Sequence, residues 1–253
     1  MAVPSIDERR AAFRALHQSG CFVLPNPWDG GSAVRLSKLG FRAIASTSAG
    51  AAWALGRADG EMTVDEVLNH LQFLVGVTHL PVNADFESGY AENPEGVAIN
   101  VARCIKTGVA GLSIEDRLGT GLYPLNEAVR RLRAAREAID CSGEDVLLVG
   151  RCEAFWLGQP DLEMTIARLT AYSQAGADCL YAPGIKDLAS IARLVTALNK
   201  PVNVNLSGTG LSVAELASLG VRRVSVGGAL ARATWTALEG FAGRLWAEGR
   251  LPA

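Results

Sequence analysis

At 253 residues with 49% hydrophobic side chains, the chain can bury a large core and falls within the size range of a single barrel of alternating strands and helices. Its 24 Lys and Arg against 26 Asp and Glu exclude a strong electrostatic draw toward nucleic acid or an anionic membrane, leaving a small molecule as the expected partner. No apolar run is long enough to span a bilayer, and the opening "MAVPSIDERRAAFRALHQSG" spreads charges through a helix-like pattern with no secretory core, so a soluble, cytoplasmic protein is expected.

Eight short apolar runs are predicted as strands: "CFVLP" (21–25), "FRAIASTS" (41–48), "PVNADFE" (81–87), "GLSIED" (111–116), "VLLVGRCEA" (146–154), "CLYAPG" (179–184), "PVNVNLS" (201–207) and "RRVSVGG" (222–228). Several read as continuous apolar runs, as expected of parallel strands covered on both faces. The stretches between them have helical patterning. In "LSVAELASLG", Ser212 is a candidate N-cap and Glu215, three residues on, completes a capping box. Gly40, Gly108, Gly176 and Gly220 each stand where a helix should stop and a strand begin, a joint that favours the left-handed conformation. Eight such units without interruption predict one domain over 1–253, an α/β (β/α)8 TIM barrel. A doubly wound open sheet is the alternative, with less use for eight evenly spread strands. Cys21, Cys104, Cys141, Cys152 and Cys179 are widely spaced with no Cys-x-x-Cys pair, and are expected as free thiols, mostly in strands.

In such a barrel the active site lies at the C-terminal ends of the strands, so the polar residues that close each run should converge. These are Ser46, Thr47 and Ser48 after the second strand, Asp85 and Glu87 after the third, and Glu115 and Asp116 after the fourth. Arg151 and Glu153 follow in the fifth, and Asn203, Asn205 and Ser207 in the seventh. Carboxylates crowded into one mouth repel each other and raise each other's pKa unless a cation lies among them. Oxygen-only ligands without His or Cys point to Mg2+ (or Mn2+) rather than zinc, and Arg151 is suited to hold a substrate carboxylate in a two-pronged contact. Against this, any one strand-end acid taken alone is more often a helix cap. Asp116 is open to that reading, and Glu153 to pairing with Arg151 or a neighbouring strand. His17, His70 and His79 fall away from the rim and are expected to be structural or surface residues. Cys152 should point opposite to Arg151 and pack. The "VGGAL" after the last strand suits either phosphate binding at a helix N-terminus or close backbone packing.

At these residues the sequence resembles the isocitrate lyase/phosphoenolpyruvate mutase superfamily, from about Asn26 to the last strand. The matching segments are "STSAGAAWALGRADG", "PVNADFESGY", "GVAGLSIED" and "VGRCEAF", in that order. The resemblance implies a (β/α)8 barrel that binds Mg2+ and makes or breaks a carbon–carbon or carbon–phosphorus bond next to a 2-oxo acid or its enolate. It places Ser46, Thr47 and Ser48 in the loop that holds the substrate carboxylate, and Asp59 near the reacting group. It makes Asp85 the direct metal ligand, with Glu87 and Glu115 holding the metal mainly through its waters. Arg151 and Asn205 would face the substrate, and Asp59, Arg151 and Glu115 carry the catalytic expectation.

Departures from the family pattern narrow the activity. Many relatives have Asp where this chain has Glu87. After the fourth strand, isocitrate and methylisocitrate lyases carry a Lys-(Lys/Arg)-Cys-Gly-His motif; here "RLGTGLYPLN" has no Lys, Cys or His, and it also lacks the Lys and Asn pattern of the mutase. The sixth strand ends in "YAPG" without the Glu of many lyases. The loop 117–126 is either a closing lid or an ordinary connection, with Arg117 or Tyr123 available for an anion contact or a proton. The resulting expectation is a Mg2+-dependent lyase that cleaves a carbon–carbon bond in a small 2-oxo or 2-hydroxy di- or tricarboxylic acid through an enolate, by decarboxylation or retro-aldol chemistry. The alternatives are a phosphoenolpyruvate mutase-like or phosphonopyruvate-cleaving enzyme, and a 2-oxo acid-binding barrel without lyase activity. Relatives are commonly oligomers, so a homo-oligomer, dimer or tetramer, is expected; the short tail after the last strand argues against exchange of a C-terminal helix.

Overall fold

The computed structural model describes residues 3–250. Helix α1 (Ile6–Leu16) starts at a capping box between Ser5 and Glu8 and leads into β1 (Phe22–Leu24). Then come α2 (Gly30–Lys38), β2 (Ile44–Ala45), α3 (Ser48–Ala54), α4 (Val64–Val77), β3 (Val82–Asp85), α5 (Pro94–Lys106) and β4 (Gly111–Glu115). A small antiparallel hairpin follows, β5 (Arg117–Leu118) and β6 (Gly121–Leu122), before α6 (Leu125–Ser142) and β7 (Leu147–Arg151). The chain ends with α7 (Leu162–Gln174), β8 (Cys179–Tyr181), α8 (Leu188–Ala197), β9 (Val202–Asn205), α9 (Val213–Ser218), β10 (Arg223–Ser225) and α10 (Ala229–Glu248). The predicted capping box of Ser212 and Glu215 opens α9, and the four predicted joint glycines all have φ between 87° and 101°.

Eight parallel strands run in the order β1-β10-β9-β8-β7-β4-β3-β2. The Ala45 N–H donates to the Pro25 carbonyl at 3.0 Å, which brings β2 back against the end of β1 and closes the ring. The expected barrel is therefore present, and the open doubly wound alternative is not.

Register decides what the barrel encloses. Phe22, Arg223, Asn203, Tyr181, Arg151 and Glu115 are successive partners around six strands, so their side chains share the inner face. The alternate residues, such as Val82, Ala84, Leu112, Ile114, Leu148, Leu180, Val202 and Val204, point outward and are buried under the helices. The expectation of continuously apolar strands thus fails for β3 (VNAD), β9 (VNVN) and β10 (RVS), which alternate because the upper barrel interior is polar. At the lower end the interior is apolar: Phe13 of α1 packs with Phe22, Leu24, Ala45, Ala110 and Leu147 as a plug. His17, at the end of α1, stacks edge-on against Phe13 and Phe22 and donates through Nδ1 to the Phe13 carbonyl at 2.8 Å. The cysteine expectation also needs correction. All five are free thiols, but only Cys179 lies within a strand: Cys104 packs from α5, Cys141 is exposed on α6, and Cys21 and Cys152 stand just outside the ends of β1 and β7.

Candidate active site

Arg151, the last residue of β7, is the centre of the polar mouth. Its guanidinium Nη1 lies 3.1 Å from Asp85 Oδ1 and 3.2 Å from Glu115 Oε2, and its Nε donates to Glu153 Oε1 at 2.5 Å. Four side chains predicted from three different strand ends therefore form one cluster. Its formal charge is three acids to one arginine, and the acids respond as crowding predicts. Burial, followed by neighbouring acids, pushes the Glu115 carboxyl well above its usual range, although Arg151 pulls the other way. The Glu153 carboxyl is raised by its burial; one oxygen faces Arg151, and Oε2 is buried without a hydrogen-bond partner.

The Ser46–Ser48 segment is fixed by Asp85 and its strand. Ser46 Oγ accepts from the Asp85 N–H at 2.8 Å, while the Ser48 N–H and hydroxyl both donate to Asp85 Oδ2 at 3.0 Å. Thr47 is buried and caps α3 by accepting from the Gly50 N–H at 3.2 Å. Asn26 braces this loop from below: its amide donates to the Ser46 carbonyl at 2.9 Å, and its Oδ1 accepts from the amides of Val226 and Gly227. Asn26 thereby ties the ends of β2 and β10 together. It was not singled out in the sequence because it lies outside any acid cluster.

Two cavities meet above Arg151. One, of about 190 Å3, is bordered by Ser46, Ser48, Asp85, Arg151, Tyr181 and Asn205. The other, of about 320 Å3, is bordered by Asp59, Glu87, Glu115, Arg117 and Gly119. Ser48, Asp59, Arg151 and Trp156 line both. Asp59 sits on the exposed loop between α3 and α4 and overhangs both cavities; partial loss of water, then the Asp85 charge, raises its pKa. Asn205 closes β9 with its Oδ1 accepting from the Ser207 N–H at 2.9 Å. Ser46, Ser48, Asp59, Asp85, Glu87, Glu115, Arg151 and Asn205 thus border one compound cavity; the hydroxyl of Thr47 is spent on the helix cap, and Asp116 and Glu153 lie behind the cavity wall.

Glu87 lies two residues beyond β3 in an unusual backbone conformation. Its φ is 43° and that of Tyr90 is 53°, the two non-glycine residues in the left-handed region among the described residues. Arg131 of α6 holds this turn from behind. It donates to the carbonyls of Ser88 (2.8 Å), Ala91 (2.6 Å) and Glu92 (3.2 Å), while its guanidinium stacks 4.4 Å from the Tyr123 ring. The turn keeps Glu87 over the second cavity, where burial raises its carboxyl pKa to about 7.

Among the described residues, no three Asp, Glu, His or Cys side chains stand together in a way that could hold a metal ion by themselves. Asp85 keeps a lone pair on Oδ1 beyond its contact with Arg151, while Oδ2 is filled by the two Ser48 donors, and Glu87 and Glu115 border the adjoining polar cavity. This all-oxygen arrangement, with more acid than base, fits a hard divalent ion that retains several waters.

Asp116 stands behind the cluster and is not a helix cap. It accepts from Tyr172 Oη at 2.5 Å, Arg168 Nη1 at 3.1 Å and the Glu153 N–H at 2.8 Å. Arg168 also donates to the Tyr123 carbonyl at 3.0 Å, so the network reaches the base of the β5–β6 hairpin. Cys152 faces away from Arg151 into the packed layer, as expected. The "VGGAL" glycines serve close packing: a Cβ on Gly228 would fall 2.9 Å from the Trp53 ring. Sequence reasoning missed Trp53, Trp156, Tyr181, Arg223 and Arg232 along the cavity. Alternation along β8 and β10 marks Tyr181 and Arg223 as inward-facing once the barrel is assumed.

A family model described as phosphoenolpyruvate phosphomutase matches residues 13–245. An oxaloacetate decarboxylase of Chromohalobacter salexigens is 36% identical over 242 residues, 88% of this chain and 80% of that protein. The 2-methylisocitrate lyase of Escherichia coli K12 is 31% identical over 211 residues, 79% of this chain and 70% of the enzyme. A crystal structure of a Burkholderia cenocepacia J2315 protein provisionally assigned as a lyase/mutase superposes with a TM-score of 0.94 at 44% identity, covering 97% of this chain and 91% of that one. The chain belongs to the phosphoenolpyruvate mutase/isocitrate lyase superfamily. The family and barrel type expected from the sequence are both present, and so is the enzyme class, a lyase of this superfamily.

Proposed function

We propose that the protein is a divalent-metal-dependent lyase that cleaves a carbon–carbon bond in a small 2-oxo or 2-hydroxy di- or tricarboxylic acid. The observation that carries this reading is the Arg151 cluster. It joins Asp85, Glu115 and Glu153 at the floor of a cavity large enough for a few carboxylate-bearing carbons. Relatives named as an oxaloacetate decarboxylase and a 2-methylisocitrate lyase add support for acids of this size.

In this reading Asp85 holds Mg2+ (or Mn2+) directly, and Glu87 and Glu115 hold it through its waters. When bound, the ion supplies Lewis-acid stabilisation for negative charge on the substrate oxygen next to the carboxylate. Arg151 supplies the fixed positive charge that orients the substrate carboxylate, with Ser48 and the Ser46–Ser48 backbone beside it. Asn205 fixes the far side of the same acid. Decarboxylation makes the smallest demand on the chain: CO2 departs, its bonding electrons remain in the enolate of the 2-oxo acid, and no lid cysteine is needed. Retro-aldol cleavage also requires removal of a hydroxyl proton, for which Asp59, overhanging both cavities, is the available carboxylate.

The test is incubation with Mg2+ and, separately, oxaloacetate, methylisocitrate, isocitrate, phosphoenolpyruvate and phosphonopyruvate, followed by proton and phosphorus NMR. One carbon acid should turn over, and Asp85→Ala should abolish that turnover while leaving the circular-dichroism spectrum intact. A phosphonate product would instead establish carbon–phosphorus chemistry. Pyruvate or oxalate binding without turnover of any acid would establish a binding barrel.

We also propose that the protein is a homo-oligomer, a dimer or tetramer. From residue 236 onward every described residue of α10 is exposed, and the helix displays Leu238, Phe241, Leu245 and Trp246, the last 93% exposed. An apolar stripe of that kind on a 20-residue helix marks a contact surface. No helix among the described residues is long and apolar enough to cross a membrane.

A further inference from the structure

We infer that Glu153 is a positioning residue, which orients the Arg151 guanidinium toward the substrate and occupies its place in the barrel for that task rather than for stability. This inference rests on the reading of the Arg151 cluster as a carboxylic-acid site. The three acids around Arg151 are not equivalent. Asp85 and Glu115 meet Nη1, at 3.1 and 3.2 Å, and each borders a cavity. Glu153 takes Nε instead, at 2.5 Å; it is fully buried and borders neither cavity. Whatever Glu153 does for a ligand, it does through Arg151.

A guanidinium is planar, so a fixed Nε together with the Tyr181 ring, 5.3 Å from its centre, sets the direction of the whole group. With Nε on Glu153 and Nη1 on the two rim acids, Nη2 is the donor left over. It meets no acceptor among the described residues, and Arg151 borders both cavities. Glu153 is itself held: its N–H donates to Asp116 Oδ1 at 2.8 Å, and Asp116 Oδ2 accepts from Tyr172 and Arg168 of α7. A chain of hydrogen bonds therefore runs from α7 to the guanidinium. As a stabilising element, by contrast, the side chain is poorly placed. Its Oε2 is buried with no hydrogen-bond partner, an arrangement that opposes folding. Arg151 has two other counter-ions, so its charge does not require a third. An apolar side chain of similar length would suit the fold at least as well, and a group retained against stability belongs with the working parts of a site.

The test compares wild type with Glu153→Gln, which keeps an acceptor for Nε, and Glu153→Met, which does not. Isothermal titration calorimetry measures Mn2+ alone and then oxalate binding to the Mn2+-loaded protein, and circular dichroism follows thermal unfolding. Both variants lose the same charge, so their Mn2+ affinities should agree within about threefold, whereas oxalate should weaken about 10- to 100-fold in Glu153→Met and stay within about threefold of wild type in Glu153→Gln. Glu153→Met should also melt at or above the wild-type temperature, so that stability and affinity move in opposite directions, as a merely structural role would not allow. Equal oxalate losses in both variants, wild-type affinity in Glu153→Met, or a Glu153→Met that melts below wild type or does not fold would each overturn the role of Glu153 and leave the acid-site reading intact. Failure of the wild type to bind oxalate overturns the acid-site reading and this inference with it.

Discussion

Replacing Asp116 with Ala should destabilise the barrel strongly, although the residue touches neither cavity. Its side chain is 1% exposed and accepts three hydrogen bonds, one of them from the Arg168 guanidinium. Removal leaves Arg168 without its counter-ion, the Tyr172 hydroxyl without its 2.5 Å acceptor and the Glu153 N–H unpaired. Breaking a buried ion pair from one side costs about 3–5 kcal/mol. In a chain of this length each kcal/mol moves the Tm by about 2–4 °C, so the midpoint should fall by about 6–20 °C. Asp116→Asn retains the shape and one acceptor oxygen but not the charge, and its midpoint should lie between the two. Thermal unfolding followed by circular dichroism at neutral pH measures both. A midpoint for Asp116→Ala within about 2 °C of wild type would refute this, because an arginine side chain only 12% exposed cannot lose its counter-ion without cost. Activity measured below the transition is expected to fall too, since the Asp116 side chain holds the Glu153 backbone, two residues from Arg151.

His17 gives a pH signature. Its burial in the aromatic plug, and then the Arg223 charge, lower its pKa to about 3 from an ordinary 6.5. The unfolded chain therefore takes up the proton first, and stability that is complete above about pH 6.5 is lost as the pH falls toward 3; at pH 5 the loss is about 2 kcal/mol. Urea unfolding at pH 7 and pH 5 should show a difference of that size that shrinks in His17→Leu, and an unchanged difference would reject it. Arg131→Met strips donors from three carbonyls in the turn beyond Glu87, and should weaken Mn2+ binding about 10- to 100-fold in a titration that needs no turnover. Wild-type affinity there would mean that the turn holds Glu87 unaided. Trp246→Glu combined with Phe241→Glu should shift the mass measured by light scattering toward the monomer, and an unaltered mass would place the interface elsewhere.

The barrel was legible because parallel strands, helix caps and joint glycines are local signals that agree with one another. Ser212 with Glu215, and Gly220 just before β10, mark one helix at both ends without any long-range information. The interior was less legible. "PVNVNLS" and "RRVSVGG" looked apolar in the mass, yet Asn203, Asn205, Arg223 and Ser225 all face inward. Only the register shows that the valines between them are the outer layer. A buried arginine such as Arg223 carries no local mark of its burial, because its partners Asn83 and Asn203 are 140 and 20 residues away.

Asp85 and Glu87 were visible as a pair two residues apart, but the structure gives them different surroundings. Asp85 ends a strand, and both of its oxygens are already engaged, by Ser48 and by Arg151. Glu87 belongs to a turn whose φ of 43° takes it out of strand alternation. Strand periodicity alone would have sent both acids to the same side for the same reason. What keeps Glu87 over the second cavity is instead a remote arginine, Arg131, which grips carbonyls 39–43 residues earlier in the chain. Backbone in that conformation costs about 1–3 kcal/mol and persists only where the surroundings enforce it. The departure from the family's Asp to Glu87 can then be understood at the turn: the added methylene lengthens the reach of a carboxylate whose backbone position is set from outside the strand.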